Sequence, residues 1–318
     1  MCNMKEYIKV FAVYFFGVLF SPYLLLKWLR LRREGLFCDF ENYMRVSTRY
    51  FLRFFRLPNL IKPLDYNEKI AWLKLFDNNT LKVQCCDKYD ARKYIVSKIG
   101  EGYLPKNYYV GASFDREMAK SINVPFVIKT THDQGGVYFC NGSEDFDAIE
   151  KDIKARIKQR YGFVNYEWPY LQLDGKVIYE EHLNFGGKIP DDYKFHCVDG
   201  KVKWLQYITD RGVDIKEGIY DRLGNKLRQR LDTDMKQFGE TLNIGSQKYQ
   251  EMILLAEKLA SEFKYVRVDM YCTDERINIG ELTFFPLGGL YKSLDVDYFG
   301  SLMNFDIYPD VKVSEYGR

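Results

Sequence analysis

Alternation of apolar and polar residues is clearest between Val266 and Pro286, VRVDMYCTDERINIGELTFFP. Val266, Val268, Met270 and Cys272 alternate with Arg267, Asp269 and Tyr271, the period of a strand with one buried face. Ile277 to Phe285 predicts a second strand, with Glu281 and Thr283 on one face and a polar tip at Thr273–Arg276. Elsewhere, Val124–Thr130 and Val137–Cys140 read as strands around a Gly-Gly turn, and Lys176–Leu183 as another. Asp192–Asp210 reads as a hairpin turning at Asp199-Gly200. Helical spacing predicts helices over Asn67–Phe76 with Asn67 as N-cap, Val83–Ile99, Glu144–Tyr161, and Ser246–Phe263 with Ser246 as cap. Arg45, Arg49, Arg53 and Arg56 fall at near-helical spacing and predict a solvated or membrane-facing stripe.

The 17 residues Val10–Leu26 carry no charge, and Lys27-Trp28-Leu29-Arg30-Leu31-Arg32-Arg33 follows them. The run is at the lower edge of a membrane-spanning length and holds Gly17 and Pro22. Three arrangements fit: a helix on the inner leaflet, a single-pass anchor, or a helix packed on the protein's own core. No small-residue cleavage site follows, which argues against a cleaved leader.

Apolar content of 47% and charge of 29% over 318 residues fit a globular chain with a real core. Residues 1–62 hold 11 Lys+Arg against 4 Asp+Glu, a net +7, which leaves −4 for the remainder of a chain at +3. A basic arm of this kind argues for a membrane surface and against a nucleic-acid fold, for which no motif is present. The seven cysteines form no C-x-x-C and the three histidines are scattered, so disulfide and zinc frameworks lack support.

Candidate chemistry centres on the first pair of strands. A three-residue turn at Asp274–Arg276 would set Asp269 opposite Glu281 and Arg267 opposite Thr283, roughly 4.5–5.5 Å apart at Cβ. Two carboxylates that close drive one to take a proton unless a cation intervenes, and Mg²⁺ takes carboxylate oxygens while keeping phosphate and water. A solvated face with the pairing shifted by one residue explains the same alternation. Gly135-Gly136 between two strands can turn backbone N–H groups toward phosphate, with Lys129 adding a point charge. An ordinary hairpin turn is the commoner meaning of such a pair. Lys194 and Arg211 are candidate phosphate contacts or plain strand charges, and Lys88 by itself reads as a surface lysine beside Asp87.

Taken in order, N-E-K-I-x-W-L-K-L at 67–75, D-K-Y near 88, F-V-I-K-x-x-H-x-x-G-G at 126–136, E-E-x-L at 180–183, D-Y-K-F at 192–195 and R-V-D…G-E-L-T at 267–283 resemble the TupA-like ATP-grasp family over about residues 60–290. That resemblance implies an α+β ATP-grasp fold, two subdomains clasping ATP. The apolar run and the basic stretch set off a membrane-associated or anchoring helix at 1–35 and a basic connector with an N-terminal helical region at 36–120, and the resemblance implies a lid at 121–185 and a metal-bearing unit at 186–318. By the same resemblance, Lys88 and Lys129 would be the nucleotide lysines, and His132, Gly135 and Gly136 would belong to the phosphate flap. Glu180, Glu181 and Leu183 would bind adenine and ribose. Asp269, Glu281 and Thr283 would hold Mg²⁺, and Arg267, Lys194 and Arg211 would serve the transferred phosphate. Thr283 stands where the superfamily more often has Asn.

The implied activity is ATP- and Mg²⁺-dependent joining of a carboxylate to an amine through an acylphosphate, in bacterial capsular or cell-surface polysaccharide synthesis. The expected partners are a uronic acid or other carboxylate acceptor and an amino acid or amine. The expected place is the cytoplasm, on or anchored to the inner face of the membrane. A glycosyltransferase with a D-x-D metal site is the rival, at Asp145-Phe146-Asp147, Asp232-Thr233-Asp234 or Asp295-Val296-Asp297. A third reading keeps the fold as a non-catalytic assembly partner.

Overall fold

The computed structural model describes residues 4–183, 190–238, 242, 244–273 and 276–307, with side chains from Phe11 onward. Helices α1 (Met4–Leu19), α2 (Ser21–Arg33) and α3 (Phe40–Phe54) come first. The chain bends by 80° between α1 and α2, ahead of Pro22 in the first turn of α2. Proline is tolerated there because its missing N–H has no helical partner to lose. The arginines of α3 do not form the solvated stripe expected of them. Arg45 lays its guanidinium 4.0 Å over the Phe163 ring. Arg49 Nε donates to Asn165 Oδ1 at 3.1 Å and Arg53 Nε to the Leu290 carbonyl at 3.1 Å. Arg56 pairs with Asp65 and Glu68 at 2.5 and 2.6 Å. The stripe is a docking face for the rest of the chain.

Helix α4 (Tyr66–Phe76) is capped by Asp65, whose Oδ1 accepts from Glu68 N at 2.8 Å. Asn67, the expected cap, instead exchanges two hydrogen bonds with the Tyr291 backbone, at 2.9 and 3.0 Å. The single helix expected over 83–99 is two, α5 (Leu81–Cys86) and α6 (Ala91–Ile99). Asp87 causes the break: its Oδ1 accepts from Tyr89 N and Asp90 N, both at 2.9 Å, which offers the backbone a turn in place of helix.

Strand β1 (Asn107–Gly111), α7 (Arg116–Ser121), β2 (Phe126–Thr130), β3 (Val137–Cys140), α8 (Phe146–Ile157) and β4 (Val177–Glu181) make a lid. Its antiparallel sheet runs β1-β4-β2-β3 around a core that includes Ile128, Ile153 and Tyr179. The unit therefore starts at Asn107, ahead of the boundary expected at 121.

The second sheet uses β5 (Asp192–Val198), β6 (Lys201–Thr209), β7 (Lys216–Asp221), β8 (Lys226–Leu227) and β9 (Lys236–Gln237). After α9 (Ser246–Ala260) come β10 (Tyr265–Cys272), β11 (Ile277–Thr283) and α10 (Val296–Leu302). The order is β11-β10-β5-β6-β7-β8, with β9 beside β7. Asp199 and Gly200 both take positive φ, +45° and +73°, as a two-residue hairpin turn requires. Helix α9 opens at Ser246 with Gly245 as its cap, and buries Ile253, Ala256 and Leu259 in the body core.

Buried Lys74 ties α4 to the loop after β11: its Nζ donates to the Asn165 and Gly288 carbonyls, both at 2.8 Å. Burial pulls its pKa down to about 8, against the pull of Glu167. Lys74→Met leaves two carbonyls and a buried carboxylate without this partner and should cost about 3 kcal/mol in chemical denaturation at neutral pH. Folded Lys74 loses its proton before unfolded Lys74 does. Wild-type stability relative to Lys74→Met should therefore rise between pH 8 and about 10.4. A constant difference across that range would contradict the assignment.

Candidate active site

Strands β5, β10 and β11 bring the polar positions of three segments onto one sheet face. Asp269 pairs with Glu281 on one side and Lys194 on the other; Arg267 pairs with Thr283 and His196. The expected register holds at these positions, by a different route. Cys272 pairs with Ile277, one residue tighter than a three-residue turn allows, and Gly280 is an extra residue that restores the pairing at Glu281. A Cβ at Gly280 would sit 3.0 Å from the Tyr271 ring, so the bulge favours glycine. Residues Asp274 and Glu275 of the expected tip lie outside the described residues.

The two carboxylates are not bare. Arg267 holds Asp269 with both ends of its fork, Nε to Oδ1 at 2.6 Å and Nη2 to Oδ2 at 2.7 Å. Lys194 Nζ donates to the same Oδ2 at 2.5 Å. Arg267 Nη2 reaches Glu281 Oε1 at 3.3 Å and Thr283 Oγ1 at 3.2 Å, and the Thr283 hydroxyl donates to Glu281 at 3.0 Å. Burial pushes the Asp269 carboxyl up, but Arg267 and Lys194 outweigh it and hold the pKa below the ordinary value. The repulsion that sequence spacing raised is thus answered first by two cations of the chain itself. Asp269 is buried, whereas the Glu281 side chain is 43% exposed.

Beside Lys194, Asp192 is buried and pairs with it at 3.7 Å and also with Arg211. Burial raises the Asp192 pKa against the pull of Lys194 and Arg211. Sequence reasoning passed over Asp192, although a two-residue step from Lys194 on the same strand face pointed to it. It also passed over a buried polar chain beneath Arg267. Tyr66 and Tyr265 hydroxyls meet at 2.9 Å, and Tyr265 meets His196 Nδ1 at 2.8 Å. Gln206 then meets His196 Nε2 at 3.4 Å and donates to Glu217 at 2.7 Å.

The lid supplies more cations. The break at Asp87 lets Lys88 N donate to the Thr131 carbonyl at 3.1 Å while its Nζ donates to the Thr130 and Asp133 carbonyls. Burial pulls the Lys88 pKa down, against the pull of Glu281 and Asp133. Lys129 pairs with Glu180 at 2.7 Å, and Arg92 takes the other oxygen of Glu180 at 2.9 Å. Arg276, at the base of the β10–β11 turn, reaches across to Glu181 at 2.8 Å. Leu183 follows β4 and is half-buried.

In the β2–β3 turn, Gln134 and Gly135 form the exposed tip, with Gly135 at φ +83°. His132 and Gly136 are turned inward. The His132 ring lies against Gly175 and its Nε2 meets the Arg156 carbonyl at 3.2 Å. A Cβ at Gly136 would fall 1.9 Å from Thr130 Oγ1, which leaves no room for a side chain.

Two carboxylates and a hydroxyl on one face suit Mg²⁺, which leaves its other positions to phosphate and water. Among the described residues no group of three or more His, Cys, Asp and Glu side chains is placed to hold a metal ion, so the donor set here is two carboxylates and a hydroxyl. Asp269, Glu281 and Thr283 are the residues that would hold it, and Lys88, Lys129, Lys194 and Arg267 the cations for a triphosphate. A cavity of about 350 Å³ lies elsewhere, lined by Arg32, Asp39, Asn42 and Tyr166 among others. That lining offers one arginine and one aspartate, against the convergent set on β5, β10 and β11.

No curated protein matches the sequence. Similar solved structures include a D-alanine–D-alanine ligase from Bacillus anthracis complexed with ATP, 15% identical, TM-score 0.39, covering 63% of this chain and 55% of that one. An L-amino acid ligase from Bacillus licheniformis is 10% identical, TM-score 0.42, covering 80% and 58%. An N5-carboxyaminoimidazole synthase from Aspergillus clavatus, solved with ADP and 5-aminoimidazole ribonucleotide, is 12% identical, TM-score 0.38, covering 64% and 45%. The chain thus spans little more than half of the first two. The profile described as TupA-like ATPgrasp matches residues 68–301, well over half of the chain. All but the first two residues of α4, the lid and the sheet that carries Arg267, Asp269 and Glu281 fall inside that match, and the chain belongs to the TupA-like ATP-grasp family.

Proposed function

We propose that the protein is an ATP- and Mg²⁺-dependent ligase that joins a carboxylate to an amine in the synthesis of a bacterial surface polysaccharide. The observation that carries this reading is the single sheet face bearing Arg267, Asp269, Lys194, Glu281 and Thr283. MgATP, when bound, would supply the phosphoryl group that turns the acceptor carboxylate into an acylphosphate with ADP as the leaving group; the amine nitrogen would then attack the acyl carbon, releasing phosphate and a proton. Phosphoryl transfer asks the protein for positioning and for cations where negative charge spreads, more than for covalent help. Arg267 and Lys194 are already held in place by Asp269, so their charges need no reorganisation before the step. Lys88 and Lys129 would draw in the triphosphate. Glu180 and Glu181, at the end of β4 between the two sheets, would accept hydrogen bonds from the nucleoside.

The glycosyltransferase reading has less support. Asp145 caps α8, accepting from Asp147 N and Ala148 N at 3.0 and 3.1 Å. Asp232 closes its own turn by accepting from Asp234 N at 2.9 Å, and Asp295 accepts from Arg230 N at 2.8 Å. In each D-x-D the first aspartate already accepts from backbone N–H groups. The acceptor class, a uronic acid or another carboxylate of the envelope, rests on the family alone.

MgATP at a hundredfold its Kd should stabilise the protein by about 2.7 kcal/mol by mass action, read as a thermal shift, while Mg²⁺ with UDP-sugars should give none. Lys129→Ala should shrink the ATP shift; the opposite selectivity would favour the transferase. Glu281→Gln should lower ATP-dependent phosphate release by on the order of a hundredfold, since its carboxylate is expected on the metal. Because Glu281 is half-exposed, its replacement should move stability by less than about 1 kcal/mol, so full activity in that folded variant would remove it from the site.

A further inference from the structure

We propose that the outer face of the α1–α2 pair seats the protein in the plane of an anionic lipid bilayer without crossing it. Phe11, Phe15, Val18 and Leu19 recur along one side of α1, and Leu26 and Leu29 continue the apolar surface on α2. All are exposed, Phe11 by 69% and Leu26 by 68%, on a chain that buries comparable side chains elsewhere. A contiguous apolar face of this kind on a protein surface marks a partner or a membrane.

The opposite side of the pair belongs to the protein. Val13, Leu24 and Leu31 are buried, and Gly17 lets α1 approach α3 so closely that a Cβ there would meet the Met44 side chain at 3.0 Å. Tyr14 takes part in a polar cluster on α3: Arg45 Nη2 donates to its hydroxyl at 2.8 Å, its hydroxyl donates to Glu41 at 3.2 Å, and Arg45 pairs with Glu41. Carrying α1 through a bilayer would pull Glu41 and Arg45 into hydrocarbon, where a charge costs several kcal/mol. No single described helix is long and apolar enough to cross, and the two that pass such a test together are bent by 80°. Lying in the interface meets both constraints.

Charge selects lipid over a second copy of the chain. From Phe11 to Phe37 the charged residues are Lys27, Arg30, Arg32 and Arg33 against Glu34 alone. All four cations are exposed, next to the apolar surface. A self-dimer over this face has almost no acidic counterpart for them, whereas an anionic headgroup layer attracts each one. The seat is rigid with respect to the catalytic body, because Arg49 and Arg53 of α3 fasten to Asn165 and to Leu290 in the loop after β11. The proposal does not depend on which reaction the site performs.

Flotation of the full chain with vesicles tests it. Phosphatidylcholine vesicles containing phosphatidylglycerol should carry the protein, and phosphatidylcholine alone should carry far less. Phe15→Glu/Leu26→Glu should lower the bound fraction about tenfold or more. Lys27→Ser/Arg30→Ser/Arg33→Ser should weaken binding to anionic vesicles by about fivefold per charge, roughly a hundredfold together. All five positions are exposed, so both variants should melt like wild type, which separates lost docking from lost folding. Alkaline carbonate should extract the native protein from bacterial membranes. Three outcomes overturn the proposal: no flotation with anionic vesicles at low salt, retention in the carbonate pellet as a spanning protein, or a lipid-free dimer that Phe15→Glu/Leu26→Glu dissociates while vesicles fail to bind.

Discussion

The buried contact between Asp269 and the two cations that hold it governs the rest of the molecule. An aspartate, an arginine and a lysine taken out of water each lose several kcal/mol of hydration, and only close, well-aligned pairing recovers that loss. The fork of Arg267 and the ammonium of Lys194 supply that alignment at 2.5–2.7 Å. Three adjacent strands must keep their register for this to happen, because a one-residue slip would send each charge to the opposite, apolar face. That face is already filled by Val266, Val268 and Met270 packed in the body core. The hydrophobic core and the charged cluster therefore specify the same pairing.

Support for the cluster comes from far along the chain. The line of hydroxyl, imidazole and amide groups from Tyr66 to Glu217 lies under Arg267 and links the first turn of α4 to the far strands of the sheet. With burial and the Arg267 charge holding the His196 pKa well down, the imidazole stays neutral next to the guanidinium. Lys74 and Arg53 fasten the loop after β11 from the other side, through the Gly288 and Leu290 carbonyls. Helices α1 to α4 and strands β5, β10 and β11 consequently form one connected body, with the lid joined to it through Lys88 and Arg276.

Several expectations failed for one shared reason: local pattern does not reveal which partner a polar side chain will find. Asn67 looked like a cap and became a clamp on Tyr291. Asp87 looked like a helix residue and instead closed a turn that aims Lys88 at the lid. The arginines of α3 looked solvated and turned out to be the fasteners of the N-terminal arm. Strands β1 and β7 were missed, since Asn107–Gly111 and Lys216–Asp221 are short and show little alternation.

Period-two alternation was enough, from residues alone, to set Arg267 with Asp269 and Glu281 with Thr283 each on one face of a strand, because side-chain direction in a strand follows from backbone geometry; the bulge at Gly280 decided that the two pairs face each other. Motif order was enough to indicate the family. Tertiary structure alone decided what neutralises the carboxylates, which strand brings Lys194 beside them, and which side of α1 and α2 is free. Those outcomes depend largely on contacts between residues distant in sequence, such as Tyr14 with Arg45, Lys194 with Asp269 and Arg53 with Leu290, and no local pattern encodes such partners.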